Sequence, residues 1–139
     1  MVDNLVIKKL LEDAKNIAVV GLSPKKNRPS NMVATYLIRN NYNVIPVNPG
    51  QTEILGCKCY PDLTSIPVKI DIVDIFRRSD AVLPVVEEAA ICGADCVWMQ
   101  QGIENKEAEG VAVKNGMTVI MNRCIKVEHE SLIKNKFIF

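Results

Sequence analysis

The chain has 139 residues, 48% of them hydrophobic, and its 17 basic and 16 acidic residues leave a net charge of +1. That length suits one domain, able to bury roughly two thirds of its unfolded surface without disulfide or metal staples. The even charge balance argues against a nucleic-acid partner, the apolar runs are too short for a membrane helix, and Met1-Val2-Asp3-Asn4 does not open like a signal peptide.

In chain order, residues 5–15 predict a helix with Ile7, Leu10, Leu11 and Ala14 on one face. Ile17 to Gly21 is a short, fully apolar strand, and Ser30 to Asn40 a second helix carrying Val33, Tyr36 and Leu37 inward. Val44 to Val47 is the next strand. Pro46 lies within it, which requires a strand end or an irregular pairing because proline has no N–H. Asn48-Pro49-Gly50 closes it as a turn. The stretch from Ile54 to Pro67 is less regular, with a small extension at Lys58 to Tyr60 and a helical turn after Pro61. Ile70 to Phe76 is a third strand, whose Asp71 and Asp74 belong near its ends or in polar contacts. A helix from Leu83 to Cys92, a strand from Cys96 to Met99 and a helix from Glu104 to Asn115 follow, the last stopped by Gly116. Met117 to Met121 is the fifth strand, and a final helix runs from about Arg123 to Ile133. This alternation predicts a single α/β domain over residues 1–139: a mostly parallel five-stranded sheet with helices on both faces.

In such a sheet a ligand sits outside the carboxyl ends of the strands, where the strand order reverses. Those ends are Gly21-Leu22-Ser23-Pro24, Asn48-Pro49, Phe76-Arg77-Arg78, Met99-Gln100-Gln101-Gly102 and Asn122-Arg123-Cys124. They are more polar and basic than the strands they follow, as a site for an anion with an organic body requires. Arg28-Pro29-Ser30 opens the second helix, and a helix start offers unpaired N–H groups and a favourable dipole to a phosphate. The alternative there is an ordinary turn with Ser30 as N-cap. No Gly-x-Gly-x-x-Gly fingerprint is present, since no glycine follows Gly21 until Gly50. Arg77-Arg78 precedes a helix, where a cation gains nothing from the dipole. Two planar guanidinium forks suit phosphate oxygens, and a solvated pair is the alternative. Lys25 and Lys26 are weaker candidates.

Five cysteines (Cys57, Cys59, Cys92, Cys96, Cys124) and one histidine, His129, make no defensible metal set. An odd count with no signal peptide points to free thiols in the cytoplasm. Cys124 beside Arg123 is in an electropositive setting that can activate a thiol, but helical spacing turns His129 inward with Ile125 and Leu132, as a buried hydrogen-bonded residue. Trp98 reads as core, and Asp71, Asp74 and Asp80 as structural ion-pairing partners near Arg77.

These residues resemble the small stand-alone coenzyme A-binding proteins of bacteria and archaea, whose domain is similar to the N-terminal domain of the succinyl-CoA synthetase alpha subunit. The resemblance rests on Gly21-Leu-Ser-Pro24, Arg28-Pro-Ser30, Val33-Ala-Thr-Tyr-Leu37, Val44-Ile-Pro-Val-Asn-Pro49, Ile54-Leu-Gly56, Asp71-Ile-Val-Asp-Ile-Phe-Arg77, Gly93-Ala94, Val97-Trp-Met-Gln-Gln-Gly102, Arg123-Cys124 and Glu128-His129. It covers about Ile17 to Leu132, and the combination is specific where single pieces are not. The pattern is departed from at Gln51, where the synthetase has Lys, and at Asn122, where the small proteins commonly have Asp. The resemblance implies a Rossmann-like fold that binds coenzyme A. Gly21, Leu22, Ser23, Pro24, Arg28, Pro29 and Ser30 would meet the phosphates. Asn48, Pro49, Phe76, Arg77 and Arg78 would flank the adenosine, and Met99, Gln100 and Gln101 would line the far side. The synthetase's phosphorylated histidine lies in a second domain that this chain does not contain. The reading is therefore a coenzyme A or acyl-CoA binder, non-catalytic by itself and with no protein partner specified. The alternatives are a small NAD(P)-dependent or acyl-CoA-handling enzyme, or a subunit needing a catalytic partner. NAD domains commonly place an acid after the second strand, where this chain has Asn48-Pro49.

Overall fold

The computed structural model describes residues 2–135. Helix α1 (Asn4–Asp13) begins at Asp3, whose carboxylate accepts hydrogen bonds from Leu5 N and Val6 N, satisfying two of the helix's unpaired donors. Strand β1 (Asn16–Val20), helix α2 (Pro29–Arg39) and strand β2 (Asn43–Val47) follow. A two-stranded hairpin, β3 (Glu53–Ile54) and β4 (Cys57–Lys58), is set beside β2. Strand β5 (Ile72–Ile75), a 3-10 turn (Ser79–Ala81), helix α3 (Val82–Ile91), strand β6 (Cys96–Met99), helix α4 (Lys106–Lys114) and strand β7 (Thr118–Ile120) complete the repeat. The chain then forms α5 (Ile125–His129), continued as a π-helical turn over Glu130–Lys134.

The five main strands are ordered β2-β1-β5-β6-β7 and every pair is parallel. Both faces are covered. Ile17, Val19, Val44, Ile72, Trp98 and Ile120 pack against α1, α2 and α5 through Ile7, Leu11, Val33, Leu37 and Ile125. Ala18, Val20, Val73, Ile75, Val97 and Met99 pack against α3 and α4 through Val82, Val86, Ala89, Ala108 and Ala112. Strands buried on both sides read as continuous apolar runs, because alternate side chains enter different cores. Among the described residues, no helix is long and apolar enough to cross a membrane.

Several expectations are refined. Pro46 lies inside β2 because β2 is an edge strand. Its carbonyl points outward to accept from Tyr60 N at 3.0 Å, so the missing N–H also faces away from β1. The segment after Pro61 is a turn and not a helix: the Asp62 carboxylate takes the Ser65 N–H and the Ser65 and Thr64 hydroxyls. Asp71, Asp74 and Asp80 do not gather near Arg77. The Asp71 carboxylate accepts from Lys15 N and Asn16 N, tying the starts of β1 and β5, whereas Asp74 is in mid-strand and completely buried.

Candidate functional site

Strand order reverses between β1 and β5: the chain moves from β1 outward to β2 and from β5 outward to β6 and β7. At the carboxyl ends of β1 and β5 lies an open cleft of about 540 Å³, where the general rule for open α/β sheets places a ligand. Gly21 and Phe76 form its floor, Arg77 and Arg78 one wall, and Ser23, Lys25, Arg28, Pro29 and Ser30 the other, with Ile103 at the margin.

Gly21 makes the turn out of β1. Its φ is +84°, and a Cβ there would stand 2.2 Å from the Phe76 carbonyl oxygen, so the two loops approach as closely as they do only because no side chain intervenes. The next residues are laced down. Ser23 N donates to Ser30 Oγ at 3.0 Å, Lys25 N to Ser23 Oγ, and Asn31 Nδ2 to the Ser23 carbonyl. Ser30 is therefore not the N-cap. That position falls to Arg28, whose side chain makes no capping bond, and Pro29 is the first helical residue. Proline has no N–H to satisfy there, and the start of α2 remains open toward the cleft with Arg28 exposed beside it.

Charge in the cleft is one-sided. Among the described residues, Lys25, Arg28 and Arg77 make no ion pair, and the exposed Arg78 meets only Asp80, at 3.4 Å. Cations gathered at the positive end of α2 and ahead of α3 are unfavourable unless an anion joins them.

The remaining expected residues have other places. Leu22 and Met99 are wholly buried. Met99 belongs to the core beneath α3 and α4, so its side chain does not line the far side of the cleft as expected. Gln100 is also buried, its Nε2 donating to Asp74 Oδ1 at 2.5 Å. Gln101 is exposed in the turn leading to Ile103, and Pro24 and Pro49 are exposed on their loops. The Asn48 amide is committed at both ends, donating to the Leu22 carbonyl and accepting from Gly50 N, so it braces the first loop against the second. Lys25, weighted lightly, and Ile103, not anticipated, both line the cleft. The signal for Ile103 is its place one residue past Gly102 at a strand end.

Asp74 is the most perturbed group beneath these loops. Burial pushes its carboxyl up to about 8, only partly offset by the Gln100 bond, and its Oδ2 has no partner. Cys124 and His129 do not form a pair. The His129 ring is buried, its Nδ1 is 2.7 Å from the Tyr36 hydroxyl, and its faces meet the Tyr36 and Tyr42 rings edge-on. Burial holds its basicity below the ordinary histidine value. Arg123 is occupied by Glu128 at 3.1 Å. Among the described residues, no three His, Cys, Asp or Glu side chains come together as a metal set.

The family model described as a CoA binding domain matches residues 15–130. The uncharacterized protein YneT of Bacillus subtilis strain 168 is 46% identical over 123 residues, spanning 88% of this chain and 91% of that one. An ADP-forming acetate–CoA ligase of Archaeoglobus fulgidus is 29% identical over 131 residues, which are 87% of this chain but 19% of the ligase. A solved structure of a hypothetical protein from Pyrococcus horikoshii OT3 matches with a TM-score of 0.93 at 42% identity, over 95% of this chain and 93% of that one.

Proposed function

Because this chain belongs to the CoA-binding domain family, we propose that it holds coenzyme A or an acyl-CoA thioester in the cleft between β1 and β5 and is non-catalytic by itself. The observation that carries this reading is the set of cations at the switch point, Lys25, Arg28, Arg77 and Arg78, lining one cleft with no carboxylate among the described residues that line it. Coenzyme A carries a pyrophosphate and a ribose 3′-phosphate, and arginine forks match phosphate oxygens two at a time. The start of α2 takes the pyrophosphate, and Arg77 with Arg78 takes the 3′-phosphate. Asn48 and Pro49 stand where NAD domains commonly place an acid for the ribose hydroxyls, and both ends of the Asn48 amide are already in use, which supports coenzyme A over NAD.

The non-catalytic part rests on the missing base. A nucleophile requires a positioned base, and the one histidine is buried against Tyr36. The five free cysteines suit a cytoplasmic setting. The match to about a fifth of a ligase favours one second reading, a module that works beside a separate catalytic polypeptide.

The test is calorimetric titration of wild type, Arg77→Ala and Arg78→Ala with coenzyme A and its 3′-dephospho form. Loss of a charge-assisted contact costs about 1.5–3 kcal/mol, and the loss is expected for coenzyme A and not for the dephospho form. Equal losses would remove the 3′-phosphate assignment, and no loss would remove these arginines from the site. Acetyl-CoA incubated with the wild-type protein should be recovered intact; sustained release of free thiol, abolished by Cys124→Ser, would overturn the non-catalytic reading.

A further inference from the structure

A second and larger concavity, about 740 Å³, lies along the outer face of α2, between the β3–β4 hairpin and α5. Its charge is again of one sign. Lys26, Arg39, Lys126 and Lys134 line it, and among the described residues no carboxylate does. Among the described residues none of these four makes an ion pair. Glu130, whose charge is felt by the Tyr36 hydroxyl, opens instead on a separate depression with Val127 and Ser131. The groove is also apolar: Met32 is 55% exposed and Leu55 37% exposed within it.

The spacing of the cations decides what kind of anion fits. Lys26 precedes α2 and Arg39 is its last residue, with the 11 residues of the helix between and including Pro29 and Arg39. At 1.5 Å per residue the helix alone separates them by about 16 Å. One phosphate would pair with both only if each side chain lay extended along the helix toward the other. A chain-like anion can reach both. Stacked bases are poorly served, because the one aromatic side chain among the described residues lining the groove, Tyr36, packs edge-on with His129 and carries the Lys126 ammonium 5.8 Å from its ring centre. Exposed Met and Leu flanked by separated cations match a segment with apolar side chains on one stripe and carboxylates beside it. Met32, Thr35, Tyr36 and Arg39 recur at the three- and four-residue intervals of one helix face, so the groove follows α2 for two turns, a length along which a helical segment can lie.

We propose that the groove of α2 is a docking site for an acidic amphipathic segment of a second protein, separate from the coenzyme A cleft. The two sites share the loop between β1 and α2: Lys25 faces the cleft and Lys26 the groove. The proposal does not depend on the identity of the ligand in the cleft.

The probe is a synthetic amphipathic helix built from repeats of Glu-Leu-Leu-Glu-Glu-Ala-Leu, titrated into the ¹⁵N-labelled protein at physiological salt. A scrambled peptide of the same composition and a single-stranded oligonucleotide serve as controls. Amide shifts are expected at Met32, Thr35, Arg39, Leu55 and Lys126. The variant Arg39→Glu/Lys126→Glu should weaken the peptide about tenfold or more, as should Met32→Asp at an exposed position, while coenzyme A titrations of the same variants stay at the wild-type value. No binding, equal binding of the scrambled peptide, shifts confined to the cleft, or preferential binding of the oligonucleotide would each overturn the proposal. So would self-association of the free protein in sedimentation that Arg39→Glu abolishes, since the occupant would then be a second copy.

Discussion

Asp74→Asn should abolish most of the loss of stability that the wild-type protein undergoes between pH 5 and pH 8.5. The Asp74 carboxyl is completely buried in the middle of β5, between Val19 of β1 and Trp98 of β6. Burial raises it from the ordinary 3.8 to about 8. Between those values the folded protein keeps the proton and the unfolded chain releases it, so the folded state loses ground as pH rises. The contribution is whole below about pH 4, declines through neutrality and is gone once pH passes the folded value near 8. From pH 5 to pH 8 that is a loss on the order of 4 kcal/mol. Asparagine cannot ionise, and its Oδ1 can still accept the Gln100 bond. Its Nδ2 replaces Oδ2, which has no partner to lose. Urea unfolding of both proteins at pH 5 and pH 8.5 measures the difference. Parallel pH dependence in the two proteins would mean that Asp74 is not held neutral in the fold.

Gly21→Ala should cost on the order of 4 kcal/mol or prevent folding. Two penalties fall at one atom: a φ of +84°, which disfavours any side chain, and a Cβ 2.2 Å from a backbone oxygen of Phe76 that cannot swing away. Gly116→Ala separates the two effects. Its φ is +75° but nothing lies within 4 Å of the added carbon, so only the backbone penalty, about 1 kcal/mol, applies. Chemical denaturation of the two variants compares them directly. Similar small losses at both positions would show that the loops after β1 and β5 are not held at contact, and with that the shape of the cleft floor would be wrong.

The alternation of apolar runs with helical spacing is enough to read this fold from the chain, because each strand is short, bounded by turn residues and followed by an amphipathic helix. The same apolar runs hide which way individual side chains point. Val97, Trp98 and Met99 are all buried, alternating between the two cores, so the period of two carries no polarity signal. That is why Met99, the last residue of its strand, reads as a cleft residue and proves to be core. Leu22 goes the same way. A carboxylate in an apolar run predicts a strand end or a polar contact; Asp74 has the polar contact, with Gln100, but its complete burial in the middle of β5 is not legible from the run. That Arg77 and Arg78 line the cleft is legible, because charge directly after an apolar strand stands out against it. The groove on α2 is not, since Lys26, Arg39 and Lys126 come from separate parts of the chain and meet only in the fold.

Ligand choice is the point on which the account of the cleft turns. Titration of the purified protein with coenzyme A and with NAD, under the same buffer and salt, measures it directly. Saturable binding of coenzyme A with no comparable heat from NAD is the expected result, because Arg77 and Arg78 line the cleft, where the proposal has them meet the 3′-phosphate, and Asn48-Pro49 rather than an acid follows β2. NAD binding at least as tightly as coenzyme A would contradict it.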